Sequence, residues 1–480
     1  MKRILLPLLY CLLFGFSFAA QPASRPNIIF ILADDLGWGD LSCYGNTFLK
    51  TPNLDRLAQR GTLFTNFYVN GSVCSPSRCA FFTSQYPARH RIHGHYATPE
   101  QNTARGMSQF LDPKVPNIAT TMKQAGYATA HVGKWHLGSN SGGPQPGAYG
   151  FDFVGSGETG GADVSKSDPY YRAKSTELFV NEALRFIQGR GDKPFYLQLW
   201  TLVPHATLNP TPEQMKPFER FSNPNIPHKS ARTVYYASVS ELDTQIGRLL
   251  DQLEKLGLAD NTVVFFSSDN GPEEIFIGNA GHSGVGSPGP FRGRKRSLYE
   301  GGVREPFIVR WPGKIPAGRI DDTSVLAGVD LLPTVCRLTG VPMPVGHVSD
   351  GEDASDILFG RPRVRTRPLM WEWRFNIAGH VWNRSPQLAI REGDWKLLMN
   401  PDRSRVELYD IPRDPMQVGN VASAHPDIVA RLSAKILAWQ KDLPPGPLDA
   451  TAGRNDYPWP GKEPSTATEP LAKKKGKKAK

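Results

Sequence analysis

Strand-length apolar runs recur along this chain, with stretches of helical period between them. "NIIFIL" from Asn27, "TLFTNFYV" from Thr62, "YATAHVG" from Tyr127, "PFYLQLW" from Pro194, "TVVFFSS" from Thr262 and "PFIVRW" from Pro306 read as strands. The helical stretches are "NLDRLAQRG" ending at Gly61, a helix from about Pro76, Val115 to Gln124, Thr176 to Ile187, Thr233 to Leu256 and Leu331 to Leu338. This alternation predicts a doubly wound, largely parallel sheet covered by helices. After about Arg361 the texture changes. "QLAIREGDWKLLM" and "VELYDI" read as antiparallel strands and "IVARLSAKILAWQKDL" as one helix, a small α+β subdomain.

The two ends of the chain read differently. Lys2 and Arg3, an apolar run from Ile4 to Phe18 and the small Ala19 and Ala20 form a signal-peptide pattern over residues 1–20, too short for a membrane anchor. Cys11 lacks the small residues of a lipoprotein signal before it. The expected product is an exported protein, periplasmic or secreted, with no membrane attachment after cleavage. Expected boundaries are 21–360 for a catalytic domain, 361–443 for the C-terminal subdomain and 444–480 for a Pro/Gly/Lys-rich tail. The formal charge of +11 overstates the body. Without Lys2, Arg3 and the six lysines of "KKKGKKAK" it is about +3, which is no nucleic-acid footprint. Cys43, Cys74, Cys79 and Cys336 are too few for a disulfide scaffold in 480 residues.

Ligands of open α/β sheets bind beyond the carboxyl ends of the strands. There "NIIFIL" runs into Asp34 and Asp35, "TVVFFSS" into Asp269 and Asn270, "YATAHVG" into Lys134 and His136, and "PFYLQLW" toward His205. Asp and Asn after a strand cap helices and make turns as readily as they bind ions. Four such oxygens converging at one edge would suit Ca²⁺ or Mg²⁺ rather than zinc. Lys134, His136 and Lys295 read either as surface and core residues or as an anion cradle. In "VCSPSRCAFF", Pro76 suits a first helical turn. Cys74 would then stand at a helix N-terminus, with Arg78 on the same side, where an ordinary cysteine is expected as a low-pKa thiolate.

The run Cys74-Ser75-Pro76-Ser77-Arg78 resembles the C-x-P-S-R signature of the type I sulfatases, arylsulfatase-like enzymes of the alkaline phosphatase superfamily. The similarity extends from about Asn27 to Trp439, through "ADDLGWGD", "GKWHLG", Pro204-His205, "SDNG", "RKRSLYEGGVR", "REGDWKLL" and "ELYD". It implies an α/β fold with a large mixed, mostly parallel sheet sandwiched by helices. It also implies that Cys74 is converted to formylglycine (3-oxoalanine) by a formylglycine-generating or sulfatase-maturing enzyme. Asp34, Asp35, Asp269, Asn270 and the modified Cys74 match the ligands of a divalent cation, usually Ca²⁺, with Mg²⁺ as the other option. One hydroxyl of the hydrated aldehyde attacks sulfur and Arg78 holds it in place. Lys134 and Lys295 clamp sulfate oxygens, His205 protonates the leaving alcohol and His136 assists the second hydroxyl.

The chain departs from the family pattern at Ser84, where glycine commonly stands, and at Glu305, where an apolar residue does. The expected substrate is a sulfated oligosaccharide or polysaccharide, as for bacterial sulfatases of polysaccharides and glycosaminoglycans. His93, His95, His282 and Arg292 flank the motifs as candidate sugar-subsite residues or ordinary loop residues. Two other functions fit the same motifs: a phosphodiesterase or phosphonate monoester hydrolase of the same superfamily, and an unmodified sulfated-glycan-binding protein.

Overall fold

The computed structural model describes residues 25–457, apart from 139–141, 156–167, 227, 275–281 and 447. The signal-peptide segment, the end of the "DYPWPG" patch and the lysine tail lie outside these residues. Nine strands make the main sheet: β1 (Asn27–Asp34), β2 (Thr62–Tyr68), β3 (Ala128–Gly133), β4 (Phe153–Val154), β5 (Phe195–Pro204), β6 (Thr262–Ser268), β7 (Arg304–Arg310), β8 (Arg319–Asp321) and β9 (Leu326–Ala327). Their order is β4-β3-β5-β1-β6-β7-β2-β8, with β9 also pairing β2. Only β7 runs antiparallel to its neighbours, so the sheet is mixed and mostly parallel.

Burial on both faces explains the unbroken apolar run of β1. Ile28, Phe30 and Leu32 pack on one side with Phe81 and Trp200. Ile29, Ile31 and Ala33 pack on the other, with the helices Tyr171–Gly189 and Ala231–Lys255. The strand order sets β3, β5, β1 and β6 side by side, and the pairs Gly133↔Trp200, Asp34↔Pro204 and Ala33↔Ser268 align their carboxyl ends. Residues that follow these strands therefore meet along one edge. Among the described residues, no helix is long and apolar enough to cross a membrane.

A second, antiparallel sheet contains β10 (Leu369–Glu372), β11 (Leu388–Glu392), β12 (Trp395–Met399) and β13 (Glu407–Asp410) in sequence order. Leu388, Ile390, Leu397 and Met399 face Leu432 and Ile436 of the helix Pro426–Lys441. Trp371, Ala389, Leu398 and Tyr409 point the other way, into the core of the main sheet.

The helix Cys74–Thr83 begins two residues before the expected Pro76, after an extended Val73. It ends at Ser84, whose φ of 56° is the left-handed conformation that favours glycine. Hydrogen bonds hold the serine there: its N–H donates to Ala80 O at 2.8 Å, and its Oγ accepts from Leu332 N at 3.0 Å. The departure from glycine thus has a local compensation. The helix expected from Val115 starts instead at Ile118, where Asn117 Oδ1 caps Thr120 N at 2.9 Å. The one expected from Thr176 starts earlier and spans Tyr171–Gly189.

Candidate functional site

At the carboxyl edge of the sheet, Asp34 is the last residue of β1 and Asp35 the first beyond it. Asp35 has φ 65°, a left-handed conformation that aspartate tolerates better than most side chains. Its N–H reaches Asp269 Oδ1 at 3.1 Å, tying the ends of β1 and β6 together. Ligand atoms of Asp34, Asp35 and Cys74 all lie within 4.8 Å of one another. Asp269 and Asn270 close the cluster, and the Asn270 amide donates to Asp35 Oδ1 at 2.7 Å. All five residues are buried.

Cations surround these oxygens. Arg78 Nε and Nη2 donate to Asp269 Oδ2 at 2.9 and 2.7 Å, and Nη1 donates to the Lys134 carbonyl at 2.7 Å. Lys134 Nζ lies 2.8 Å from Asp34 Oδ2, and Lys295 Nζ lies 2.6 Å from Asp35 Oδ2. The surface alternative for Lys134 is excluded, since its side chain is 1% exposed. Burial pushes the Asp34 carboxyl up, but Lys134, His205, Arg78 and Lys295 outweigh it and hold the group well below the usual carboxylate range. Asp269 goes the other way. Burial, with the negative charges of Asp34 and Asp35, carries it up to about 7 against the pull of Arg78. Lys295 is raised: Asp35, Glu273 and Cys74 together overcome burial, the largest single influence.

The histidine protons are placed by their acceptors. His205 Nδ1 donates to Ala206 O at 2.7 Å, leaving Nε2 to face Asp35 Oδ2 at 3.8 Å. Burial pushes this imidazole down, partly offset by Asp34 and Asp35. His136 Nε2 donates to Tyr96 O at 2.9 Å. Asp35, His136 and Arg296 are three of the eight described non-glycine residues with positive φ, so backbone strain concentrates at this edge.

Several expectations need correction. Cys74 is 2% exposed, and burial pushes its thiol up to about 11 despite Lys134 and Lys295. The helix N-terminus does not make a low-pKa thiolate here, because tertiary desolvation outweighs a local dipole. The cysteine's polar neighbours Ser75, Ser77 and Arg78 are themselves fully buried. His93 is also buried, with Nδ1 3.4 Å from Glu372 Oε2, and is no sugar-subsite residue.

Arg292 serves as a clamp. Its guanidinium lies 3.7 Å from the Tyr299 ring centroid and 4.1 Å from that of Trp382. It donates to Tyr409 Oη at 3.1 Å and Gln417 O at 3.2 Å. Glu305 is an interior residue of β7 with both carboxylate oxygens buried and without a hydrogen-bond partner. The four cysteines among the described residues, Cys43, Cys74, Cys79 and Cys336, are all unpaired.

Sequence reasoning missed Glu273, which lies 3.4 Å from Lys295 Nζ and also pairs with Arg296. Its position three residues after Asn270, in "SDNGPEE", was the available signal.

Asp34 Oδ1 and Asn270 Oδ1 are buried oxygens without a donor, beside three crowded carboxylates. Hard oxygen donors with unmet lone pairs fit a Ca²⁺- or Mg²⁺-type cation. An acidic cation pocket, two ammonium groups and a histidine at the edge of a helix-covered sheet define a hydrolase that handles an anionic ester.

The comparisons specify which one. The sulfatase family model matches residues 26–341, and the model described as N-sulphoglucosamine sulphohydrolase, C-terminal, matches 291–442. An N-acetylgalactosamine-6-O-sulfatase of Bacteroides thetaiotaomicron is 30% identical, over 86% of this chain and 93% of the relative. The N-acetylgalactosamine-6-sulfatase of Rattus norvegicus is 36% identical, over 77% and 72%. The crystal structure of Ps i-CgsB in complex with k-i-k-neocarrahexaose has TM-score 0.73 and 26% identity, over 88% of this chain and 94% of that one. The chain belongs to the sulfatase family and is a hydrolase of sulfate esters.

Proposed function

We propose that this enzyme removes a 6-O-sulfate from a galactosamine-type sugar of a sulfated glycan, using Cys74 after its conversion to formylglycine and a Ca²⁺ ion. The gathering of Asp34, Asp35 and Cys74 within 4.8 Å, flanked by Lys134 and Lys295, carries the reading. The names of the two 6-sulfatase relatives support the choice of sugar. Asp34, Asp35, Asp269 and Asn270 would hold the cation through their buried oxygens. A cation held there would supply charge to polarise sulfate oxygens, and the hydrated aldehyde at residue 74 would supply the hydroxyl nucleophile.

The chain's own groups do the rest. Arg78 is locked by Asp269 and the Lys134 carbonyl, so its position at the turn above Cys74 needs no reorganisation. Lys134 and Lys295 neutralise the sulfate oxygens. As an oxygen of residue 74 bonds to sulfur, the S–O bond to the sugar breaks, and the leaving oxygen takes its proton from Nε2 of a doubly protonated His205, whose Nδ1–H stays on Ala206 O. His136 serves as base for the second hydroxyl at residue 74, whose carbonyl re-forms as sulfate leaves. Because Cys74 is 2% exposed in the folded chain, the maturing enzyme must reach it before the segment folds. Export through the signal sequence at residues 1–20 fits a substrate outside the cytoplasm. Residues 21–360 serve as the catalytic domain and 361–443 as its companion.

The test has two readouts on one preparation. Peptide mass spectrometry should find aldehyde or its hydrate at residue 74, and the protein should desulfate N-acetylgalactosamine 6-sulfate faster than the 4-sulfate. Faster turnover of aryl phosphate diesters than of aryl sulfates would overturn the reading in favour of phosphoester hydrolysis.

A further inference from the structure

A second group of cations stands beside the sulfate-binding lysines. Arg105 follows the short helix Pro99–Ala104 and is half-buried. Its contacts are one hydrogen bond from Nη1 to His95 O at 3.4 Å and the face of Phe375, 5.9 Å away. No carboxylate among the described residues pairs with it. Arg296 neighbours Lys295 in a left-handed turn (φ 76°) fixed by its N–H to Ser72 O at 2.8 Å. Its guanidinium is held by Glu273, with Nη2 3.1 Å from Oε2. Glu273 is divided, since it also faces Lys295 at 3.4 Å.

Both arginines are anchored beside the start of the helix that carries Cys74: Tyr96, next to the His95 carbonyl that accepts from Arg105, donates its N–H to Ser75 Oγ at 3.0 Å, and Arg296 donates its N–H to Ser72 O at 2.8 Å. Burial, then the charge of Arg296, lowers Arg105. Burial, followed by the charges of His136, Arg105, Lys295 and Arg296, pushes His95 down to about 2, so this ring stays neutral at any working pH. A half-buried guanidinium near a second cation, with no counter-ion of its own, is electrostatically unfavourable in the free protein. An anion supplied by a ligand would relieve it through charge-assisted hydrogen bonds.

We propose that Arg105 and Arg296, with His95 among them, form a subsite for a second anionic group of the substrate, beside the ester that is cleaved. The ligand chemistry is a planar or tetrahedral oxyanion on the same or the adjoining sugar: a hexuronate carboxylate or another sulfate. Arg105 carries the recognition and Glu273 fixes the direction of Arg296. The inference rests on the carbohydrate reading above and narrows it from sulfated sugars in general to those with two negative groups.

The experiment uses the matured full chain and three substrates with the same scissile 6-sulfate. They are neutral N-acetylgalactosamine 6-sulfate, a disaccharide joining that sugar to a hexuronate, and a disulfated N-acetylgalactosamine. Expected is a kcat/KM for one dianionic substrate about 10- to 100-fold above the neutral one, and the better substrate identifies the anion. In Arg105→Gln that ratio should fall at least about tenfold, and Arg105→Lys should restore part of it. Thermal unfolding of each variant checks folding. Equal kcat/KM on all three sugars, or an unchanged ratio in a folded Arg105→Gln, overturns the subsite and leaves the proposed function standing. Failure on every sugar while aryl sulfate is still cleaved overturns both.

Discussion

Two of the buried charge groups among the described residues are built on opposite plans. Where the second sheet meets the main one, a single carboxylate is surrounded by donors. Glu300 accepts Tyr68 Oη at 2.5 Å, Lys396 Nζ at 2.8 Å and Arg304 Nη1 at 3.3 Å, while Arg391 bonds the same tyrosine. Burial alone would raise Glu300, but Lys396, Arg304 and Arg391 bring it down to about 2. At the sheet edge three carboxylates crowd together, Asp269 rises to about 7 and buried oxygens lack donors. The first cluster spends its charges on cohesion. The second leaves them unsatisfied, which is how a protein keeps affinity for a cation and an anion it has yet to bind.

The contrast can be broken by mutation. Asp269→Asn should lower aryl-sulfate turnover by about 10⁴-fold or more. In chelator-treated protein its melting temperature should stay level or rise, because the carboxylate that burial, Asp34 and Asp35 push up has been relieved. A clear loss of stability there would put the two clusters in one category. Lys396→Met should do the reverse. It is expected to cost about 3–5 kcal/mol in urea unfolding, with turnover little changed at permissive temperature.

The pH dependence of stability gives a related measure. Glu300 falls from an ordinary 4.5 to about 2 on folding, so its stabilisation is complete above 4.5 and drains away as pH drops through about 2. Wild type should lose about 3 kcal/mol over that window, and Glu300→Gln should not show this component.

Ca²⁺ added to stripped enzyme at a hundredfold excess over its Kd should raise stability by about 2.7 kcal/mol, and Asp34→Asn should lose most of that gain. The smallest effect concerns Glu305, whose carboxyl is raised well above 4.5 by burial and by Asp269, Asp40 and Asp35. A raised group favours the fold at low pH and loses that contribution as pH climbs. Glu305→Gln should therefore stabilise the protein by about 1 kcal/mol at pH 7 and change little near pH 4, as read from paired melts.

Legibility in the sequence followed the physics of each signal. An unbroken apolar "NIIFIL" marks a strand buried on both faces, and β1 sits at the centre of the sheet. Acids immediately after such strands must appear at one edge, so Asp34, Asp35, Asp269 and Asn270 were readable as a cluster. Strand direction was less accessible, because side-chain period is the same either way, and "PFIVRW" gave no sign that β7 runs antiparallel. The Cys74 thiol was misjudged because a helix terminus is local information, whereas desolvation depends on the whole chain packing over it. His93 and Arg292 failed as sugar-binding candidates for the same reason, since their partners Glu372, Tyr409 and Gln417 lie far along the sequence.

The Arg292 clamp has a mechanical corollary. Lys295 sits on the segment that this guanidinium latches to Tyr409 and Gln417 of the C-terminal portion. A polypeptide stopped after residue 360 would retain every proposed reactive side chain in its covalent sequence and still lose the buttress that aims one of them. None of the proposed reactive side chains comes from the small sheet, which would serve turnover as scaffolding through the hold of Tyr409 on Arg292.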